Sequence, residues 1–176
     1  MRKSTHLVDQ DVGLLLREII RVEVYRGKED GYGEPELCEA DDLIVTTGRN
    51  YIARRIAGGD VQGPTASSAM VAMAVGTGSV TPALTDGSTP GLYGEVKRKA
   101  LSTNTAGPTA ANVYTAVTTF GGAADSISSV QIQEAGVVNT VLSGQGITMQ
   151  RVTFATVTLA DSDLLKLTLE TNVGSS

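Results

Sequence analysis

The sequence contains one cysteine, one histidine and no tryptophan. A single thiol, Cys38, excludes an internal disulfide framework and any zinc site built on several cysteines. A single imidazole, His6 beside the N-terminus, is the only base that a Ser-His-Asp or Cys-His arrangement could use. It is expected to be a solvent-exposed terminal residue. Aromatic side chains are few, two Phe and five Tyr, a poor supply for the stacking walls of a sugar-cleaving cleft. Basic residues are outnumbered, with 14 Lys and Arg against 19 Asp and Glu, and the formal net charge is -5. That is the wrong sign for a duplex nucleic-acid binder. No apolar run approaches the ~18 residues of a membrane-spanning helix. The opening Met-Arg-Lys-Ser-Thr-His is not followed by the apolar segment of a secretory signal. The expectation is a protein made and folded in a cytosol.

What the chain does have is 20 Gly and a heavy load of Thr, Ser, Ala and Val. Thr and Val favour pleated sheet, and Gly marks the turns between strands. A chain of 176 residues suits one domain, and at that size roughly 70% of the unfolded surface is buried without covalent staples. The expected class is all-β: a sandwich or barrel-like domain of about eight strands, with one short helix and long loops.

Residues 70–78, Met-Val-Ala-Met-Ala-Val-Gly-Thr-Gly, form an apolar run that ends in a turn signal. Such a run reads as a strand buried on both faces, the central strand of a sheet. Gly76-Thr77-Gly78 has the look of a phosphate-binding turn. A dinucleotide motif must open a helix, however, and Pro82 and the later Gly and Pro residues deny one. The turn is expected to end a strand and launch a long loop.

The remaining chain divides as follows. Residues 1–19 are an N-terminal arm or a short helix, and 20–176 a single β-rich domain. Asp9 or Asp11 could cap that helix, and Leu15, Leu16, Ile19 and Ile20 fit helical spacing. The alternative is an extended arm running straight into a strand, docked on its own domain or on another subunit. From Ile20 the period is two, and a second strand near 34–39 could return antiparallel to it. Glu39, Asp41 and Asp42 suggest a solvated acidic corner, short of the oxygen ligands calcium needs. Thr46 or Thr47 can cap a helix over 49–57 that ends at Gly58-Gly59, with Ile52 and Ile56 inward and Arg49, Arg54 and Arg55 outward. A long Pro- and Gly-rich connection, 79–94, follows the apolar run, and such loops are functional or ordered by partners. Residues 95–101 alternate weakly, and 102–111 read as a loop. Strands are expected at 113–120, near 130–137 with a bulge at Ala135-Gly136, at 147–159 with a face switch near Ala155, and around Leu165, Leu167 and Leu169.

Two carboxylates, Glu95 and Glu134, are the candidates for paired acid-base work. The structural alternative is that Glu134 pairs with Arg98 or Arg151 and fixes a register. No residue set has the spacing of a metal or cofactor site, and no catalytic residues are assigned.

Seven stretches, taken together, carry a resemblance. They are Gly48-Arg49-Asn50-Tyr51-Ile52-Ala53, Met73-Ala74-Val75-Gly76-Thr77-Gly78, Pro82 with Leu84-Thr85-Asp86, Gly94-Glu95-Val96-Lys97-Arg98, Thr119-Phe120, Ile132-Gln133-Glu134-Ala135-Gly136-Val137 and Arg151-Val152-Thr153-Phe154. In order and spacing, over about residues 46–170, they resemble a small module of tailed-bacteriophage virion proteins of the tail-fibre, baseplate and capsid-auxiliary kinds. The resemblance implies a β-rich, non-enzymatic structural module, oligomeric, with a trimer as one arrangement, and no catalytic residue to carry over. A compact domain preceded by an arm, with no shaft after it, favours a capsid decoration (cement) protein bound to the major capsid protein and to its own copies. The alternative is a tail-fibre or baseplate module, with or without host-receptor attachment. The expected contact residues are Leu14, Leu15 and Leu16 on the arm, and Pro82, Leu84, Leu92 and Tyr93 on the long loop. Neither nucleic acid, membrane nor small-molecule substrate is expected.

Overall fold

The computed structural model describes residues 15–29, 31–38, 40–56, 69–88, 92–106 and 113–174. Among them the elements run β1 (Leu15–Tyr25), β2 (Gly27–Lys28), β3 (Gly31–Tyr32), β4 (Glu36–Cys38), β5 (Ala40–Ile44), α1 (Thr46–Ile56), β6 (Ala72–Gly76), a 3₁₀ turn (Leu84–Ser88), β7 (Glu95–Ala100), β8 (Thr103–Ala106), β9 (Val113–Gly121), β10 (Gln131–Val138), β11 (Thr148–Thr158) and β12 (Leu164–Gly174). The fold is all-β. Two open five-stranded antiparallel sheets, ordered β4-β1-β12-β9-β8 and β5-β11-β10-β6-β7, pack as a sandwich.

Alternation explains the core. In the first sheet Val22 and Val24, Ala116 and Phe120, and Leu165, Leu167 and Leu169 face inward, all at 1% exposure or less. In the second, Met73, Val75, Ile132, Ala135, Val137, Val152, Phe154 and Val157 face them. The chain changes sheets at both edges. Only Glu39 separates β4 from β5, and only Leu101 and Ser102 separate β7 from β8. At the second corner the Leu101 N–H donates to Val71 O (2.9 Å) beside one sheet, and the Ser102 N–H donates to Val117 O (2.8 Å) in the other. Adjacent residues thus stitch the two layers, and the strands at the sheet edges are short, which limits edge-to-edge pairing.

Several expectations need correcting. Residues 15–19 are not helical: they are the start of β1, paired residue by residue with β12 from Leu15 opposite Gly174 onward. The extended alternative is the one found there, because a neighbouring strand satisfies every second backbone group, which a lone amphipathic pattern could not foresee. Asp41 and Asp42 lie in β5, opposite Thr153 and Val152, directly after the chain crosses between the sheets. Helix α1 starts at Thr46, three residues early, its first bond running from the Arg49 N–H to Val45 O (3.0 Å). Thr47 does not cap it, since its hydroxyl donates to Thr148 O (2.7 Å) on β11. The buried face of α1 is Gly48 and Tyr51, with Ile52 half-buried, while Arg49 and Arg54 are exposed as expected. The 102–111 loop contains β8. The bulge does not fall at Ala135-Gly136: register slips occur between Ile132 and Glu134 and between Val137 and Val138. The first of these slips sets Gln133 against 154–156, so the face switch near Ala155 is present. Calls on residues 1–14, Glu39, 57–68, 89–91 and 107–112 lie outside the described residues.

Residues 72–76 are buried throughout, as the apolar run predicted, though β10 rather than β6 is the middle strand of its sheet. The inward side chains of β6 meet the first sheet. Its outward residues have another cover, described below.

Because Leu167 is 1% exposed at the centre of the sandwich, Leu167→Ala is expected to destabilise the fold by about 2–5 kcal/mol. Denaturant unfolding monitored by circular dichroism checks this. A loss of under ~1 kcal/mol would place the core elsewhere.

Candidate functional site

The outer face of the second sheet is built of small residues. Gly76 lies opposite Glu134, Ala74 opposite Gly136 and Ala72 opposite Val138, while Arg151 lies opposite Gly136 on the other side. Directly opposed residues in an antiparallel pair share a face. Glycine and alanine leave a shallow floor, and the described parts of the 79–94 connection, 79–88 and 92–94, lie over it. A Cβ on Gly136 would come within 2.8 Å of Leu92 Cδ2, so the leucine occupies the space that Gly136 leaves.

Arg151 stands at the centre of this layer with its side chain 1% exposed. Its Nε donates to Glu134 Oε2 (2.9 Å) and its Nη1 to Asp86 Oδ2 (2.9 Å). Glu134, on β10, is itself 0% exposed. Its second oxygen accepts the backbone N–H groups of Gly78 (3.0 Å) and Gly94 (2.7 Å), the two ends of the loop. A Cβ on either Gly76 or Gly78 would strike Glu134 Oε1 (2.5 Å). The Gly-Thr-Gly turn therefore does cradle an anion, but an internal carboxylate rather than a phosphate. Asp86 caps the 3₁₀ turn: the Ala83 N–H donates to Asp86 Oδ2 (2.8 Å), and the Asp86 N–H donates to Ala83 O (3.0 Å). This is one half of a capping box: the acid takes the N–H three residues before it, while Ala83 has no side-chain oxygen to return the bond. The Tyr93 hydroxyl donates to Asp86 Oδ1 (3.0 Å), and the Arg151 Cζ lies 4.6 Å from the Tyr93 ring centroid, within range of a cation–π contact.

Two other connections are held in the same manner. Asp125 accepts the Gly121 N–H (2.8 Å) and Lys99 Nζ (2.8 Å), with Lys97 Nζ at 3.9 Å. Asp163 accepts the N–H groups of Ala160 (2.9 Å) and Gly27 (2.9 Å) and Arg26 Nη1 (2.8 Å). Burial alone would push each of these carboxyls, and Asp86, up. Backbone N–H groups and the neighbouring cations outweigh it, joined at Asp86 by the Tyr93 hydroxyl, and hold all three below the usual aspartate range. Arg98 serves a fourth connection. It pairs with Glu95 through two bonds (3.0 and 2.6 Å) and donates to the carbonyls of Thr140, Leu142 and Gln145.

The two acid-base candidates are thus each tied to an arginine: Glu134 to Arg151, and Glu95 to Arg98. Glu134–Arg151 is one of the two pairings anticipated for it. Of the expected contact residues, the loop brings Pro82, Leu84, Leu92 and Tyr93 onto the second sheet. Leu84 and Tyr93 are 45% and 63% exposed, Pro82 is half-buried, and Leu92 is buried at 8%. Leu15 and Leu16 belong to β1 in the other sheet, and Leu14 lies outside the described residues. Val80, at 59% exposure, belongs with Leu84 and Tyr93 and was not anticipated. Nor was Asp86, whose signal is an acid three residues after Ala83 in a Pro-rich loop. Cys38 is half-buried in β4, and burial pushes its thiol up. Among the described residues no group of three or more His, Cys, Asp or Glu is gathered as a metal site. No helix among them is long and apolar enough to cross a membrane.

Comparison with protein-family models, with curated proteins and with solved structures finds no match.

Removing one member of a buried ionic cluster leaves the others uncompensated, at about 3–5 kcal/mol. Arg151→Ala is expected to cost that much and to raise amide hydrogen exchange at 78–88 and 92–94 while leaving β12 protected. If it does not fold, Asp86→Asn should release the same loop more mildly. Unchanged exchange in the loop would show that Arg151 does not hold it.

The acid side has a definite sign. A carboxylate whose folded pKa is depressed stabilises above its unfolded value of about 3.9, and that contribution is lost as pH falls through the folded pKa. The melting temperature is therefore expected to be level from neutrality to about pH 5 and to fall below about pH 4, with Asp163→Asn flattening part of that fall. A melting temperature that rises on acidification below pH 4 would contradict the assignment.

Proposed function

We propose that the chain is a virion structural protein, a capsid decoration protein that binds and stabilises a shell of major capsid subunits through its 79–94 loop, with copies of itself as further partners. The observation that carries this is a loop with an internally fixed backbone and outward apolar side chains. Glu134 grips both of its ends, Asp86 and Arg151 fix its middle, and Val80, Leu84 and Tyr93 remain exposed. Segments held in place in the free protein, here 79–88 and 92–94, lose little conformational entropy on docking. Repetition over a lattice then turns a modest contact into a strong attachment.

The resemblance supports the same reading. Gly76, Gly78, Asp86, Gly94, Glu134 and Arg151, which build the cluster, all fall inside the stretches that carry it. The chemistry of the cluster is also that of a scaffold. Its carboxylates are saturated with internal donors, which leaves no free base beside an open cavity.

The deciding measurement is the copy number of the chain in purified virions. Many copies, in multiples set by the icosahedral lattice, are expected. A few copies in threes or sixes would instead make it a tail-fibre or baseplate component. Leu84→Asp, at an exposed position, is expected to leave the melting temperature within a degree or two while weakening attachment to assembled shells about tenfold or more. Attachment by co-sedimentation equal to that of the unaltered chain would remove the loop from the interface.

A further inference from the structure

The outer face of the second sheet carries one cross-strand row with an arginine at each end. Arg151 on β11 lies opposite Gly136 on β10, Gly136 opposite Ala74 on β6, and Ala74 opposite Arg98 on β7. Directly opposed residues share a face, so both guanidinium groups stand on the same side of the sheet. Four strands at a spacing of about 4.8 Å set the two arginine backbones about 14 Å apart. Between them the row holds only a glycine and an alanine.

Each arginine ties down one connection. Arg151 fixes the 79–94 connection, as described. Arg98, its side chain 1% exposed and paired with Glu95, does the same for the turn after β10. Its Nη1 donates to the carbonyls of Thr140 (3.2 Å), Leu142 (2.7 Å) and Gln145 (2.9 Å). The turn is also closed on itself: the Leu142 N–H donates to Thr140 Oγ1 (3.2 Å) and the Ile147 N–H to Asn139 Oδ1 (2.6 Å). Its backbone is therefore fixed, while Val141 and Leu142 remain 52% and 48% exposed. The two connections share a composition as well. Residues 79–94 and 139–147 hold one charged side chain between them, Asp86, and that one is buried against its internal partners. The centres of protein interfaces are depleted in charge in this way, and exposed apolar patches mark interaction surfaces.

We infer that the 139–147 turn is the second half of the attachment surface. Val141 and Leu142 act with Val80, Leu84 and Tyr93 as one platform, and its occupant is an apolar, uncharged surface on a shell subunit. The inference rests on the decoration role proposed above. Continuity decides the occupant. One short run of chain leaves the first connection at Tyr93 and enters β7, whose Arg98 holds the second turn. A standard interface covers about 800 Å² per partner, a patch roughly 30 Å across, so a subunit seated on Leu84 and Tyr93 also reaches the turn beside them. A second copy docked on this face would cover Leu84 and Tyr93 and exclude the shell. The missing charge decides the chemistry. In a chain of net charge -5, a platform without exposed ions recognises its partner by shape and apolar contact, which salt does not screen.

The test is co-sedimentation of the full chain and its variants with assembled shells, with the melting temperature and the sedimentation of the free chain measured alongside. Leu142→Asp and, separately, Val141→Asp are expected to leave the melting temperature within a degree or two and to weaken attachment about tenfold, as Leu84→Asp does. Leu142→Lys is expected to weaken it equally, since an uncharged partner disfavours a buried ion of either sign. Attachment of the unaltered chain is expected to weaken less than about threefold between about 0.05 and 0.5 M salt. Attachment that Leu84→Asp weakens and the Val141 and Leu142 variants do not would overturn this inference and leave the decoration role standing. A greater loss with salt, or a lysine that strengthens attachment, would overturn the uncharged partner. Self-association of the free chain that Leu142→Asp abolishes would make a second copy the occupant and overturn the assignment. No attachment by the unaltered chain would remove the decoration role, and this inference with it.

Discussion

A guanidinium buried between two carboxylates is the constraint on which the outer layer of this protein depends. Arg151 reaches Glu134 on the neighbouring strand and Asp86 in the loop above, all three nearly inaccessible to water. Charges taken out of water are costly, and attraction offsets that cost only when the geometry is good and the remaining lone pairs are filled. Here the filling is done by the loop backbone itself, through the N–H groups of Gly78, Gly94 and Ala83. The loop cannot lift without stranding an ion. Its position is therefore all-or-none rather than graded, which is what a buried ionic group contributes better than an apolar contact would.

This dependence explains the composition around it. The floor must be shallow for the loop to lie down, so Ala72, Ala74, Gly76 and Gly136 face outward where a two-sided sandwich would normally carry polar side chains. Residues 72–76 of the apolar run are thus buried on both faces for two different reasons: the opposite sheet on one side, and a single irregular loop, with Leu92 as its plug, on the other. The same device recurs with less burial at Asp125 and Asp163, where a carboxylate takes backbone N–H groups from a turn and a cation from a neighbouring strand. A small domain with no disulfide holds its connections in place with such ties. The apolar side chains they leave outside, Leu84 and Tyr93 above all, are then presented in a fixed arrangement.

Much of this was legible in the chain. Period-two alternation at 20–25 and 165–169 determined strands and the face each one buries, because a strand with one core face has only one register that keeps its apolar residues out of water; at 113–120 it determined the strand but not which of its two rows is buried, since both rows mix Thr with apolar residues. The all-β class, the strand at 72–76, the face switch near Ala155 and the pairing of Glu134 with Arg151 as one of two options came from local pattern and charge. Tertiary structure alone decided the rest. Residues 15–19 and the acidic stretch at 41–42 became strands because partner strands β12 and β11 stood beside them, and backbone pairing overrides local propensity. The role of Gly76-Thr77-Gly78 as a carboxylate cradle depended on a glutamate 56 positions beyond Gly78. Asp86 joined Arg151 across 65 positions. Contacts at such separations leave no periodic trace, since each needs only one residue at each end, and only the folded backbone brings the two ends together.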